Sequence, residues 1–425
     1  MSKVKLSLCM IAKNEEMSIE KALDCVKNVA FERIVVDTGS ADRTIEVAER
    51  NGAKVYRFQW INDFSAAKNF AIEQATGNWI VALDADEYFS YEDADKLKNF
   101  LEQIESEPGK WENCLAISVM LVNIDDNGRP MTKSSIVRAF RNKPSIRYKG
   151  RIHEQLSIDV SNIQHIDDIT LIHTGYAESV HRETGKAKRN VGLLREELKK
   201  DPNNLNLKAY LANSLSISGD EKDSLEAEEL ITEIIRNGSS KSVNNILKIK
   251  MYIYMINRLL SNKEKQHECE DMCRKALSDF PDSIDFEYFL ANALSSKGEH
   301  VKAWELLKSC ESKLLNDPSP EDSIMIPADP TILFSRMIIA AKELGDIENV
   351  ILYSTHVLSM DKTRLSVLSP CIATLLHYGV TEEETIDLLS NIYDFSDKDD
   401  LNIVSNAANS CGAIDFVEKL EAMQS

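Results

Sequence analysis

Apolar and polar positions change rhythm twice along this chain. Residues 5–11 form a short apolar run of the kind that crosses a buried sheet, and residues 15–29 repeat Ile19, Ala22, Leu23 and Val26 at helical spacing. A second β-rich run, 33–37, ends in the turn sequence Thr38-Gly39-Ser40. A helix over 42–51, a strand over 54–58, a helix over 64–75 stopped by Gly77, and a strand over 79–83 follow in order. This alternation predicts an α/β domain built on a mostly parallel sheet with helices on both faces. Further β-like runs lie at 114–122, 135–140 and 169–173, and from about Thr184 the pattern is helical to the end. We therefore expect two domains, residues 1–183 and residues 184–425, the second all-α.

The helical half repeats itself. Tyr210-Leu211-Ala212-Asn213-Ser214-Leu215 is followed by Gly219-Asp220, and Phe289-Leu290-Ala291-Asn292-Ala293-Leu294 by Gly298-Glu299. The two alanines and the two glycines are each 79 positions apart, which is two units of about 40 residues. Residues 251–260 and the run Ala340-Ala341-Lys342-Glu343-Leu344-Gly345-Asp346 fit as further units. Small residues let paired helices approach, and each glycine is expected to end the first helix of its pair. Asp201-Pro202-Asn203-Asn204 resembles the start of a tetratricopeptide repeat, and stacked units of that kind offer a concave surface.

Composition narrows the class. The 425 residues are 43% hydrophobic and 28% charged, and only 10 Pro and 15 Gly leave little room for long disordered linkers. No apolar run approaches the ~18 residues of a membrane span, and the N-terminal stretch reads as a first strand rather than a signal peptide. The net charge of −19 disfavours nucleic acid and anionic membranes as partners, since phosphates would be repelled. The eight cysteines have no framework spacing, so reduced thiols and a cytoplasmic location are expected. Cys269 and Cys273, four apart on a helix, read as packing residues because no second ligand pair follows.

The polar residues that punctuate the strands carry the chemistry. Lys13-Asn14-Glu15, Asp37 and Asp84-Ala85-Asp86 all fall at carboxyl ends of expected strands, where parallel sheets bind ligands. Two carboxylates around one small residue can hold a hard divalent cation through oxygen, and that cation would bridge a diphosphate; the plainer reading is a solvated turn. Arg138 and Arg141 could offer donors to phosphate or to an acceptor.

Four motifs sit in succession: Met10-Ile11-Ala12-Lys13-Asn14-Glu15-Glu16, Val35-Val36-Asp37-Thr38-Gly39-Ser40-Ala41-Asp42-Arg43-Thr44, Asp63-Phe64-Ser65-Ala66-Ala67-Lys68-Asn69 and Leu83-Asp84-Ala85-Asp86-Glu87. In order and spacing they resemble family-2 glycosyltransferases of the GT-A fold, over roughly residues 4–175. Fusion to tetratricopeptide-like repeats resembles the sublancin-type bacteriocin peptide S- and O-glycosyltransferases.

That resemblance implies an inverting transfer of a hexose from a UDP-sugar, with Mn²⁺ or Mg²⁺, to a Cys, Ser or Thr of a peptide. It implies that Ala12, Asn14, Glu15 and Ser40 line the nucleoside pocket, with Glu15 on the ribose, and that Asp37 meets the base. A turn-forming Asp37 before Gly39 is the alternative. Lys68 would lie near the diphosphate, with Asp84 and Ala85 beside the nucleotide. Asp86 would be the principal metal ligand, supported by Asp84 and by His173 at a strand end; a core histidine is the alternative for His173. In Tyr148-Lys149-Gly150-Arg151-Ile152-His153-Glu154, the His153-Glu154 pair stands where relatives carry an acidic motif, making Glu154 the expected base. The segment His173-Thr174-Gly175-Tyr176 closes the domain. Transfer to a lipid-linked or polysaccharide acceptor and a non-catalytic repeat scaffold are the competing readings. The helical half is expected to select the peptide and, through residues 397–420, to form a homodimer.

Overall fold

The computed structural model describes residues 4–125, 128, 130–174, 179–236, 243–262, 265–318 and 320–422. Gly175 and Tyr176 of the closing segment lie outside these residues.

The N-terminal strands are β1 (Leu6–Ala12), β2 (Glu32–Asp37), β3 (Lys54–Arg57), β4 (Trp79–Ala82) and β5 (Glu87–Phe89). After them come β6 (Ala116–Ile124), β7 (Pro130–Arg141), β8 (Tyr148–Lys149), β9 (Gln155–Leu156) and β10 (Ile163–His173). Four helices lie among them: α1 (Ile19–Asp24), α2 (Thr44–Arg50), α3 (Phe64–Glu73) and α4 (Tyr91–Ser106). Eight strands form one sheet in the order β3-β2-β1-β4-β7-β6-β10-β5, and β8 pairs with β9 separately. Strands β3, β2, β1 and β4 are parallel, as are β6 and β10, while β7 runs against both its neighbours and β5 against β10.

Alternation along each strand feeds two apolar layers. Leu6, Leu8, Met10, Val35, Trp79 and Val81 pack on Ile19 and Leu23 of α1, Val47 of α2 and Leu97, Leu101 and Ile104 of α4. Their neighbours Cys9, Ile34, Val36, Ile80 and Ala82 pack on Ala71 and Ile72 of α3 and on Tyr148. The helices therefore cover both faces, as the pattern predicted. Three local expectations change. The 15–29 helix is shortened to Ile19–Asp24, the last strand extends back to Ile163, and α4 forms although no periodic run was assigned there.

Beyond His173 the described elements are helical. α5 (Ser179–Lys200), α6 (Leu205–Ser216) and α7 (Glu221–Arg236) belong with the sheet to one compact unit, Met1–Ser242. Asn204 caps α6 by accepting from the Leu207 N–H. The second unit, Val243–Ser425, holds α8 (Asn245–Ser261), α9 (Gln266–Asp279), α10 (Ile284–Ser296), α11 (His300–Asn316) and α12 (Thr331–Glu343). It continues with α13 (Ile347–Met360), α14 (Leu365–His377), α15 (Glu382–Leu389), α16 (Lys398–Ser410) and α17 (Ile414–Ala422).

Gly219, Gly298 and Gly345 have φ of 75°, 82° and 72°, the left-handed conformation that ends the first helix of each pair. Ala212 and Ala291 are fully buried, letting paired helices close on one another. All eight cysteines are unpaired thiols. Among the described residues no helix is long and apolar enough to cross a membrane.

Candidate active site

The parallel strands β1, β2 and β4 deliver their carboxyl ends to one rim, and a cavity of about 840 Å³ opens there. Ala12, Glu15, Lys68, Asp84, Ala85, Asp86, Arg138, His153, Glu154 and His173 line it, so ten of the expected site residues share one space.

Asn14, Asp37 and Ser40 do not line it. Both Asp37 carboxylate oxygens accept from the Ser40 N–H, and one also accepts from the Gly39 N–H at 3.0 Å; Gly39 has a φ of 108°. Asn14 donates its backbone N–H to Ser40 Oγ at 3.0 Å and accepts from the Ala41 N–H at 2.8 Å. Asp37 thus makes the contacts of a turn-forming side chain, and these three residues stitch the β1 and β2 loops together.

Inside the cavity, charges are shared. Lys68 Nζ lies 3.2 Å from Asp84 Oδ1 and 2.7 Å from Glu154 Oε1. Arg138 reaches Asp84 Oδ2 at 3.0 Å and also binds Glu87, whose other oxygen accepts from the Asp84 N–H. Burial opposes the charge on Asp84, yet Lys68 and Arg138 together hold its carboxyl well below the usual carboxylate range. Burial acts in the same direction on Glu87 and there it wins, raising its carboxyl despite Arg138.

A β-bulge aims Arg138. Ile117 pairs with Ala139 and Ser118 with Val137, so the ladder skips Arg138, and such a bulge can redirect a side chain toward a site. Arg141 does not share its ligand. Its guanidinium donates to Glu105 and to the Cys114 carbonyl and stacks on Trp79, so the expected arginine pair is corrected to Arg138 alone.

On the other side, His173 Nδ1 is 2.7 Å from Asn123 Oδ1 and Nε2 is 3.2 Å from Asp86 Oδ2. Both partners are acceptors, so the imidazolium donates from Nδ1 to Asn123 and from Nε2 to Asp86. Burial lowers the His173 pKa, but the Asp86 hydrogen bond and charge outweigh it and raise the imidazole above its ordinary value.

His153 has a φ of 54°, rare for a non-glycine residue. Its ring stacks on Tyr210 of α6 at 3.6 Å between centroids and 10° between planes. Burial pushes its pKa down to about 4, so the ring is neutral. The loop carrying it is tied to α3: Phe64 N–H donates to the Arg151 carbonyl at 2.9 Å and Ser65 Oγ to the Gly150 carbonyl at 2.5 Å. Arg151 also faces Glu196 and Glu197 of α5.

Several residues at the site escaped the sequence reading. Phe64 and Tyr148 line the cavity from inside the quoted motifs without an assigned role, Trp60 and Arg189 line it from segments with no motif, and Glu87 stands behind Asp84 and Arg138. A third acidic residue closing the Leu83-Asp84-Ala85-Asp86-Glu87 motif was the available signal for Glu87.

Residues 7–109 match the family model for glycosyl transferase family 2. A TPR repeat-containing protein of Synechococcus elongatus is 34% identical over 227 residues, 51% of this chain and 54% of that protein. The SPbeta prophage-derived glycosyltransferase SunS of Bacillus subtilis is 27% identical over 259 residues, 59% of this chain and 56% of that protein. The chain thus spans little more than half the length of these relatives. Among solved structures, S. aureus TarS residues 1–349 aligns with a TM-score of 0.34 and 15% identity, covering 59% of this chain and 87% of that one. On the match over residues 7–109, the chain carries a glycosyl transferase family 2 domain.

Proposed function

We propose that this protein is a metal-dependent inverting glycosyltransferase that moves a hexose from a UDP-sugar to a Cys, Ser or Thr side chain of a peptide. One observation carries the reading: at a cavity at the strand ends, Asp84 and Glu154 on its wall and Glu87 buried behind it share two cations, Lys68 and Arg138. That cluster is already net negative, so a diphosphate entering beside it calls for a further positive charge.

The donor chemistry at Asp86 and His173 fits a divalent cation. Their facing atoms are 3.2 Å apart, about the separation of neighbouring ligands on one ion, and Asn123 orients the imidazole as a ligand's outer partner does. Asp84 fits less well, because its oxygens are occupied by Lys68 and Arg138. Among the described residues no group of three His, Cys, Asp or Glu converges as a ready-made metal site, so further ligands would come from diphosphate and water. Such a cation would neutralise charge developing on the leaving diphosphate.

The protein's own residues supply the rest. Glu154 takes the proton from the acceptor thiol or hydroxyl as that atom bonds the anomeric carbon and the bond to the UDP oxygen breaks. Lys68, 2.7 Å away, pairs with Glu154 and orients it. Residues 1–183 form the core of this chemistry, while residues 184–425 select the peptide. The 397–420 region pairs two copies, consistent with Ile414 standing 67% exposed at the start of α17.

Thermal shift with UDP and Mn²⁺ or Mg²⁺, and mass spectrometry of peptides incubated with UDP-hexoses, test the reading. UDP should stabilise the protein only with metal, and Asp86→Ala should abolish transfer while keeping the fold. Equal stabilisation in EDTA would remove the metal, and full transfer by Asp86→Ala would move the site elsewhere.

A further inference from the structure

Buried polar atoms in folded proteins almost always have a partner, and leaving one without costs roughly 1–3 kcal/mol. Three side-chain atoms that break this rule belong to residues lining the same cavity: Tyr148 Oη, Arg138 Nε and His153 Nε2. Tyr148 is 8% exposed and Arg138 7%, so water does not readily satisfy them.

Nor is Tyr148 loosely placed. Asn69 of α3 brackets it, donating to its carbonyl at 2.9 Å and accepting from its N–H at 2.8 Å. Phe140 packs edge-on against the ring at 6.1 Å, and Lys68 Nζ lies over it at 5.3 Å. The ring is therefore held in place while its hydroxyl is left without a protein partner.

The charges around it say what kind of group belongs there. Lys68 lies between Asp84 and Glu154, and Arg138 between Asp84 and Glu87. An anion would find no unspent positive charge in this cluster. What remains unspent is one phenolic hydroxyl, one guanidinium N–H and one nitrogen of a neutral imidazole. These suit a neutral group with closely spaced hydroxyls, each of which both donates and accepts.

We propose that Tyr148 Oη, Arg138 Nε and His153 Nε2 bind the hydroxyls of the donor's hexose ring, and that Tyr148 is the residue by which the site distinguishes a UDP-hexose from UDP. This inference rests on the UDP-sugar reading of the cavity. The charged neighbours of Tyr148 would orient and polarise its hydroxyl, and no step of the transfer passes through it.

Tyr148→Phe removes one oxygen and keeps the ring. Calorimetric titration of the full chain with UDP, UDP-glucose, UDP-galactose and UDP-N-acetylglucosamine, each with Mn²⁺, reads the effect. Wild type should bind at least one UDP-hexose more tightly than UDP. The variant should bind UDP within twofold of wild type and lose roughly five- to tenfold for that hexose, the scale of one hydrogen bond near charged groups. Because the hydroxyl has no partner in the free protein, the melting temperature of the variant should stay equal or rise.

A melting temperature lowered by several degrees would show that the hydroxyl is used within the fold, and would overturn the assignment. Equal weakening for UDP and UDP-hexose would place it on the nucleotide, and no weakening would remove it from the site. A wild type that binds neither ligand with metal would sink the UDP-sugar reading itself, an outcome separate from the failure of the variant alone.

Discussion

Arg138→Leu is the sharpest test of the charge cluster as drawn. The guanidinium serves two carboxylates in different surroundings: the Glu87 side chain is 3% exposed, the Asp84 side chain 42%. Asp84 is the more open of the two and keeps Lys68, so losing Arg138 costs less there than at Glu87. Glu87 would be left as a buried, uncompensated carboxylate, which typically costs ~3–5 kcal/mol. For a unit of 242 residues that lowers the melting temperature by roughly 6–20 °C.

The sign of the pH dependence follows from Glu87. Burial already raises its carboxyl in the folded protein, so the folded state holds that proton more tightly than the unfolded one. The stability cost of Glu87 is absent at pH below the ordinary glutamate range and grows as pH rises through it and on to the raised value. Removing Arg138 raises that carboxyl further, so the penalty should be largest at neutral pH and shrink toward about pH 4. The double variant Arg138→Leu/Glu87→Gln should recover most of the loss, since Gln can still accept from the Asp84 N–H. Differential scanning fluorimetry of wild type, both single variants and the double variant between pH 4 and 8 measures the coupling. A drop under 2 °C at pH 7, or a double variant no better than Arg138→Leu alone, would refute the reasoning.

Glu154→Gln should leave UDP binding within a few-fold while turnover falls ~10²-fold or more, and unchanged turnover would assign the base elsewhere. Tyr210→Ala should free the His153-Glu154 loop and lower kcat about tenfold with UDP affinity retained, whereas Tyr210→Phe keeps the stacked ring and should restore activity; equal rates for all three would make the stack incidental. A truncation ending at residue 242 should fold and bind UDP. One ending at 183 loses Glu196, Glu197 and Tyr210 and should be unstable or inactive, as circular dichroism and UDP titration would show; full activity of the shorter form would detach α5 and α6 from the site.

Much of the architecture was legible before any coordinates. Apolar runs of strand length alternating with helical spacing have few solutions besides a covered parallel sheet, and polar clusters at strand ends mark the rim where such sheets bind ligands. Gly219, Gly298 and Gly345 were readable as helix ends because a left-handed residue after a helix favours glycine. Periodicity reports which face a residue occupies but not what stands opposite. The ladder skips Arg138 and leaves it aimed at Asp84 and Glu87, 54 and 51 positions away, while Arg141, three residues on, stacks on Trp79. Tyr148 stood in a quoted motif with no assigned role until α3 fixed it beside the cluster with its hydroxyl unpartnered. His153 met Tyr210 only through the packing of α6. These pairings join segments tens of residues apart, and the energy that selects them comes from burying charges together and closing loops against helices. Such energy exists only once the whole unit is packed, so the sequence placed the chemistry at the strand ends and the tertiary structure chose its partners.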